Sequence, residues 1–226
     1  MTENPKDYRH GHRERLREKF MAGKLADYEL LELLLAYAIP RRDVKPMARE
    51  LLRLFGNFNN VLCTPVEKLA SVPGVGKSAA ILIKVTREIT LLDCKSVISN
   101  TPIFMEYAAL EKYCLLTLGH KAQEEFRVLF LDTNRRLIAD YLHSVGTINW
   151  AAIYPREIVG RALSANAMFA ILMHNHPSGN HSFSKDDMKI THELRHLLKS
   201  VGVELDDHIL VAGGIVYSAK NMLLMK

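Results

Sequence analysis

The chain has 226 residues, enough for one large domain or two small ones. Hydrophobic residues make up 48% and charged residues 24%, ordinary values for a soluble globular protein, and no apolar run is long enough to span a membrane. The net charge of +5 lies in residues 1–100, with 17 Lys and Arg against 12 Asp and Glu, while residues 101–226 balance at 13 of each. Any attraction to a polyanion is therefore expected from the first hundred residues, but an excess of five is modest and a solvated face is the more common explanation of a charge run.

The first residues contain no apolar signal core, so a cytoplasmic location is expected. Residues 9–20 read as a charged helix start. His10 and His12 form an H-x-H there, but the neighbouring cations oppose a bound dication and no acidic third ligand follows at a suitable spacing. Asp27 is placed to cap a helix over 28–38, with Leu30, Leu31, Leu33, Leu34 and Leu35 as a broad apolar face. Ile39-Pro40 ends it. Asp43 caps a second helix over 44–55, closed by Gly56. A short helix follows around 65–70.

Residues 72–80, Val-Pro-Gly-Val-Gly-Lys-Ser-Ala-Ala, run into a new apolar helix. Gly74 and Gly76 permit a tight turn and close backbone approach. The N–H groups opening the next helix can hold a phosphate, with Lys77 beside them. The stretch looks like the hairpin of a helix-hairpin-helix element. Its contacts would be to DNA backbone, without sequence preference. The same turn can equally be a packing hairpin. It is not a Walker loop, because the G-x-x-x-x-G-K-[ST] spacing is absent. The helix from Lys77 is expected to reach about residue 92. Residues 93–103 read as a linker, so a helical domain over 1–95 precedes a second domain over 104–226.

Thr101-Pro102 reads as the entry to a helix over 103–118. The pattern then changes. Residues 126–131 are β-rich, 132–134 make a turn, and 136–144 return as a strand. Gly146-Thr147 breaks it, and Pro155 opens a helix to about 164. Residues 168–173 are wholly apolar, which suits a central buried strand. A helix over 184–200 and strands over 204–211 and 214–217 close the chain. Alternating strands and helices indicate an α/β domain. Cys63, Cys94 and Cys114 are odd in number and scattered, so they are expected to be reduced and structural.

The apolar strand ends in His174-Asn175-His176-Pro177-Ser178-Gly179. A period of two puts both histidines on one face. Asp187, in the first turn of the next helix, can turn its carboxylate back to them. Two nitrogens and one oxygen with an open fourth position is a catalytic zinc pattern. Ser184 and Asp187 taken alone would be an ordinary helix cap. That reading leaves the two histidines unexplained.

His174-x-His176, then Ser184, then Asp187, resembles the JAMM (MPN-plus) metalloprotease motif. The hexapeptide resembles that of the RadC family more closely. Phe130-Leu131-Asp132, Gly146-Thr147, Pro155-Arg156-Glu157-Ile158, Asp207-His208, Ile39-Pro40-Arg41-Arg42-Asp43 and residues 72–76 agree, so the resemblance covers nearly the whole chain. It implies a cytidine-deaminase-like α/β/α domain behind a small all-α helix-hairpin-helix domain. It implies Zn2+ held by His174, His176 and Asp187, and an oxyanion stabilised by Ser184. It further implies an upstream glutamate as general base on the metal-activated water. Glu124 and Glu125 are the candidates, and the family's E-x-F pattern favours Glu124. One departure is the loop Asn180-His181-Ser182-Phe183, where the family usually has an acidic residue and prolines. His181 is expected to face solvent or substrate.

His192-Glu193-Leu194-Arg195-His196 is formally HExxH. At about 100° per residue, however, both histidines point away from the face shared by Ile190 and Leu194. An HNH nuclease is excluded by spacing. Asp207-His208 reads either as support for the metal site from a neighbouring strand or as a packed strand-end pair. Two functions are therefore expected to compete. One is a zinc hydrolase of JAMM type acting on a peptide or isopeptide bond. The other is a DNA-associated repair accessory whose zinc site is structural or idle. No membrane partner is expected.

Overall fold

The structure is a computed structural model describing residues 5–146 and 153–225. Its contacts divide the chain into one compact unit ending at Ile89 and another beginning at Thr90.

The first unit is helical: α1 (Pro5–Met21), α2 (Asp27–Ala38), α3 (Lys45–Phe55), α4 (Phe58–Cys63), α5 (Val66–Ala70) and the opening of α6 (Lys77–Asn100). Its core gathers Leu31, Leu35, Ala48, Leu51, Leu69 and Ile83, all fully buried. Each leucine or isoleucine among them contributes about 1.5–3 kcal/mol relative to exposure. Leu31 and Leu35 are one helical turn apart, whereas Leu30 lies outside the stripe and is exposed. Ala26 caps α2, so Asp27 is its first residue. Asp43 stands one residue before the cap of α3 and accepts from the Lys45 N–H at 3.1 Å. The short α4 is an addition to the expected elements. Its signal is Asn57, whose side chain accepts from the Asn60 N–H.

Helix α6 runs to Asn100, past the expected end near residue 92. Most of the segment read as a linker is thus helical. No Gly or Pro interrupts residues 93–100, and Cys94 and Ile98, one turn apart, are buried in the core of the second unit. The next helix, α7 (Tyr107–Leu118), starts four residues later than expected. Residues 101–106 form turns and bends instead, and the Ile103 N–H donates to the Arg135 carbonyl at 3.0 Å.

The rest is β1 (Glu125–Leu131), β2 (Leu137–Val145), α8 (Pro155–Ser164), β3 (Phe169–His176), α9 (Lys185–Ser200), β4 (Glu204–Ala212) and β5 (Ile215–Ser218). The strands form a mixed sheet in the order β2-β1-β3-β4-β5, with only β3 and β4 parallel. Parallel neighbours need a crossover, and α9 supplies it. Alternate strand residues enter two cores. Leu129, Leu131, Ile171 and Met173 pack with α7 and the end of α6. Phe126, Val128, Phe130 and Leu172 pack with α8 and α9. The second unit is therefore a three-layer α/β/α sandwich, and β3, paired on both edges and covered on both faces, is apolar throughout until its histidines. Thr147 of the expected strand break lies outside the described residues. Among the described residues no helix is long and apolar enough to cross a membrane.

Candidate metal centre

The strand β3 continues through the motif to His176, beyond the expected end at 173. Its pleat sets His174 and His176 on the α8/α9 face, in line with Leu172. Ser184 caps α9 with extended backbone. Its Oγ accepts from the Asp187 N–H at 3.0 Å, and its own N–H donates to Asp187 Oδ2 at 2.6 Å. This capping box turns the Asp187 carboxylate toward the strand end.

Three side chains then converge. His174 Nε2 and His176 Nε2 are 3.1 Å apart, and Asp187 lies 3.5 Å from each through Oδ1 and Oδ2 respectively. Ligands of a tetrahedral ion held at about 2.0–2.1 Å lie roughly 3.3–3.4 Å from one another. The three residues therefore suit a small divalent cation in donor chemistry, and one donor atom from each lies within 4.8 Å of the others. His176 Nδ1 donates to the Asn180 carbonyl at 2.9 Å, so its Nε2 is free to act as a donor atom.

Two acid–base shifts follow from the contacts between Asp187 and the histidines. His176 is raised above its ordinary value, chiefly by the Asp187 hydrogen bond acting against burial, with smaller help from the Asn180 carbonyl and the charges of Asp187 and Glu124. Burial pushes the Asp187 carboxyl up, but hydrogen bonds from His174, His176 and Ser184 outweigh it and hold the group well below the usual carboxylate range.

The two glutamates part company. Glu125 lies on the α7 face, buried, 2.6 Å from Lys121 Nζ and 3.4 Å from Arg127 Nη1. Arg127 also holds Asp140 through two nitrogens at 3.0 and 3.1 Å, and the Tyr113 hydroxyl donates to the same carboxylate. Glu125 is thus committed to an ionic network behind the sheet. Glu124 precedes β1 on the opposite parity. The register pairs Phe126 with His174, and two residues further along it would set Glu124 beside His176.

Several residues were missed or left undecided by sequence reasoning. Asn175, between the histidines, faces the other way. Its Oδ1 accepts from the Glu125 N–H at 2.8 Å and its Nδ2 donates to the Gln123 carbonyl at 3.1 Å. It clamps the backbone on either side of Glu124. Phe183, in the departing loop, stands edge-on to His174 and His208. His208 of β4 is fully buried 2.8 Å from His174 Nδ1, while Asp207 turns away to Ser218 and the Lys220 N–H. Of that pair, only the histidine approaches the centre. Burial, then the charges of nearby His174, hold His208 well below the ordinary imidazole value.

The other candidates stand apart. His181 is exposed and packs against Tyr217, a position open because Gly213 lacks a Cβ. His192 and His196 are exposed on the outer face of α9. His12 bonds the buried Glu32 at 2.7 Å. Cys63, Cys94 and Cys114 are free thiols, all buried. In the first unit, Gly74 has a φ of +86°, so the backbone favours glycine, and a Cβ there would push aside the end of the Met47 side chain, 2.6 Å away. Gly76 and Lys77 are exposed at the start of α6.

A family model for the RadC-like JAB domain matches residues 104–224, and one for the UPF0758 N-terminal domain matches residues 8–81. A UPF0758 protein of Ruegeria pomeroyi is 42% identical over 214 residues, covering 93% of this chain and 96% of the relative. A UPF0758 protein of Rhodobacter capsulatus is also 42% identical, over 213 residues, 92% of this chain and 100% of the relative.

Proposed function

The chain belongs to the RadC-like JAB family, and we propose that it is a zinc-dependent hydrolase of JAMM metallopeptidase type, acting on a peptide or isopeptide bond. The observation that carries this reading is the convergence of His174 Nε2 and His176 Nε2, 3.1 Å apart, on the Asp187 carboxylate, with each imidazole 3.5 Å from a different carboxylate oxygen. Zinc held there would supply Lewis acidity toward water and the scissile carbonyl. Glu124 takes a proton from the attacking water and returns it to the leaving amine. The Ser184 Oγ already accepts from the Asp187 N–H, so its own hydrogen remains to donate to the carbonyl oxygen as negative charge develops. Asn175 holds the backbone beside Glu124 in place.

Zinc content by mass spectrometry and cleavage of a peptide library test this together. Wild type is expected to carry about one zinc and to cleave. His176→Ala should lose both. Glu124→Gln should keep the metal and lose cleavage by roughly 10²–10⁴-fold. Unchanged cleavage in His174→Ala and Asp187→Ala would sink the proposal, leaving a structural or idle site.

A second activity, DNA association through the first unit, is favoured by one observation. Gly76, Lys77 and Ser78 are exposed at the start of a 24-residue helix, and nothing lies within 4 Å of where a Gly76 Cβ would stand. Helix N–H groups beside a lysine suit a backbone phosphate, as in a helix-hairpin-helix. The full chain should shift mixed-sequence duplex DNA at low salt and release it as salt rises. Lys77→Glu should weaken that shift across all sequences. No shift at low salt removes this reading, and with it the alternative of a DNA-repair accessory protein.

A further inference from the structure

Behind His174 runs a line of buried polar groups that the proposed chemistry does not use. His174 Nδ1 is 2.8 Å from His208 Nε2, and His208 Nδ1 is 2.6 Å from Thr191 Oγ1. Thr191 Oγ1 is 2.5 Å from the main-chain carbonyl of Asp187, one turn back on α9. His174, His208 and Thr191 are all completely buried. Phe126 and Phe183 stand edge-on to the His208 ring, so its polar contacts run along this line.

A carbonyl oxygen can only accept. The Thr191 hydroxyl therefore donates to it, and the Thr191 oxygen accepts from His208. That places the His208 proton on Nδ1 and leaves its Nε2 as an acceptor. His174 must then donate from Nδ1, which strips Nε2 of its proton. The line starts at the backbone of one ligand, Asp187, and ends by setting the tautomer of another, His174. The competing tautomer would put a proton on His174 Nε2, facing Asp187. The two ligands would then spend their donor atoms on each other.

We propose that His208 and Thr191 are positioning residues that hold His174 as its Nδ1–H tautomer, with the Nε2 electron pair aimed at the metal position. This rests on the reading of the centre as a metal site. Removing such an outer partner weakens metal binding by about 10–100-fold in other proteins.

Two measurements on the full chain separate the claims. Long-range ¹H–¹⁵N correlation of metal-free protein reads the tautomers directly. His174 and His208 are both expected as Nδ1–H, and His174 as Nε2–H overturns the proposal. Zinc affinity by chelator competition is the second measurement. Thr191→Val, nearly isosteric, is expected to weaken binding by about 10-fold or more, while Thr191→Ser restores it, keeping the hydroxyl. Equal affinity in wild type and Thr191→Val overturns the proposal and leaves the metal reading intact. Both tautomers as expected in a wild type that takes up no zinc sinks the metal reading and sustains the relay. His208→Leu should show the larger loss. Thr191→Val keeps the test decisive where His208→Leu fails to fold.

Discussion

Ser184 caps α9, and the proposed mechanism gives the same oxygen a second role that can be pulled apart from the first. As a helix cap its loss to Ala costs about 0.5–2 kcal/mol, whereas Gly at such a cap costs only a few tenths. As an oxyanion donor, its loss should cost about 10²–10³ in kcat whichever residue replaces it. Ser184→Gly is therefore expected to melt close to wild type and still lose cleavage, while Ser184→Ala loses both. Parallel thermal melts and turnover measurements check this. A Ser184→Gly enzyme with full activity would leave the residue as a cap alone. Residues of this kind were legible because the motif lies within fourteen positions of sequence. Thr191 was not. It adjoins a distracting HExxH, and its partner His208 is seventeen positions away on a neighbouring strand.

At the scale of elements, the centre is an alignment of two strand ends and one helix start. The start of β1 meets the end of β3 only because those strands are antiparallel, and Asn175 fastens the join from behind. Asn175→Ala leaves the buried Glu125 N–H without its acceptor, a cost of about 1–3 kcal/mol. It should also lower kcat through Glu124 while leaving zinc affinity near wild type, because the ligands sit on the opposite face. Chemical denaturation, turnover and chelator competition on one variant would show that split. Equal losses in turnover and affinity would mean that the clamp serves the ligands instead. The β3–α9 half of this arrangement could be read in the sequence from period two and a capping pattern. The β1 half rested on resemblance alone: the E-x-F pattern favoured Glu124, while the register that would set it beside His176 forms between strands distant in the chain. The overrun of α6 was hidden for a related reason. Polar residues at 93–100 resemble a linker locally, while Cys94 and Ile98 find their partners in a core built later in the chain.

At the scale of the molecule, the second unit's core on the α7 side holds acids that ionise only at a cost. Burial pushes the Tyr107 phenol up to about 12, and raises Tyr113 and the Cys114 thiol as well. Each stays protonated in the folded chain at a pH where it would ionise once unfolded. The unfolded state then binds fewer protons, so stability falls as pH rises. Their contribution is complete below the ordinary values of 9.0 for the thiol and 10.0 for the phenols and is lost above them. Urea midpoints should therefore drop between pH 8 and 11, and Tyr107→Phe should make the drop shallower. A parallel drop in that variant would point to other groups.

The alternation along β3 has a consequence for how the site can change. His174, Asn175 and His176 point down, up and down relative to the sheet, so the centre is written as an odd-even phase as well as a set of residue types. Losing a single residue from the apolar part of β3, while pairing with β1 and β4 held, would send both imidazoles toward α7 and the amide toward α9. Apolar substitutions within β3 change packing by increments, but a change of length by one inverts the site in a single step. A scan of one-residue deletions across 169–173 should thus abolish metal binding far more uniformly than any substitution scan of the same five positions.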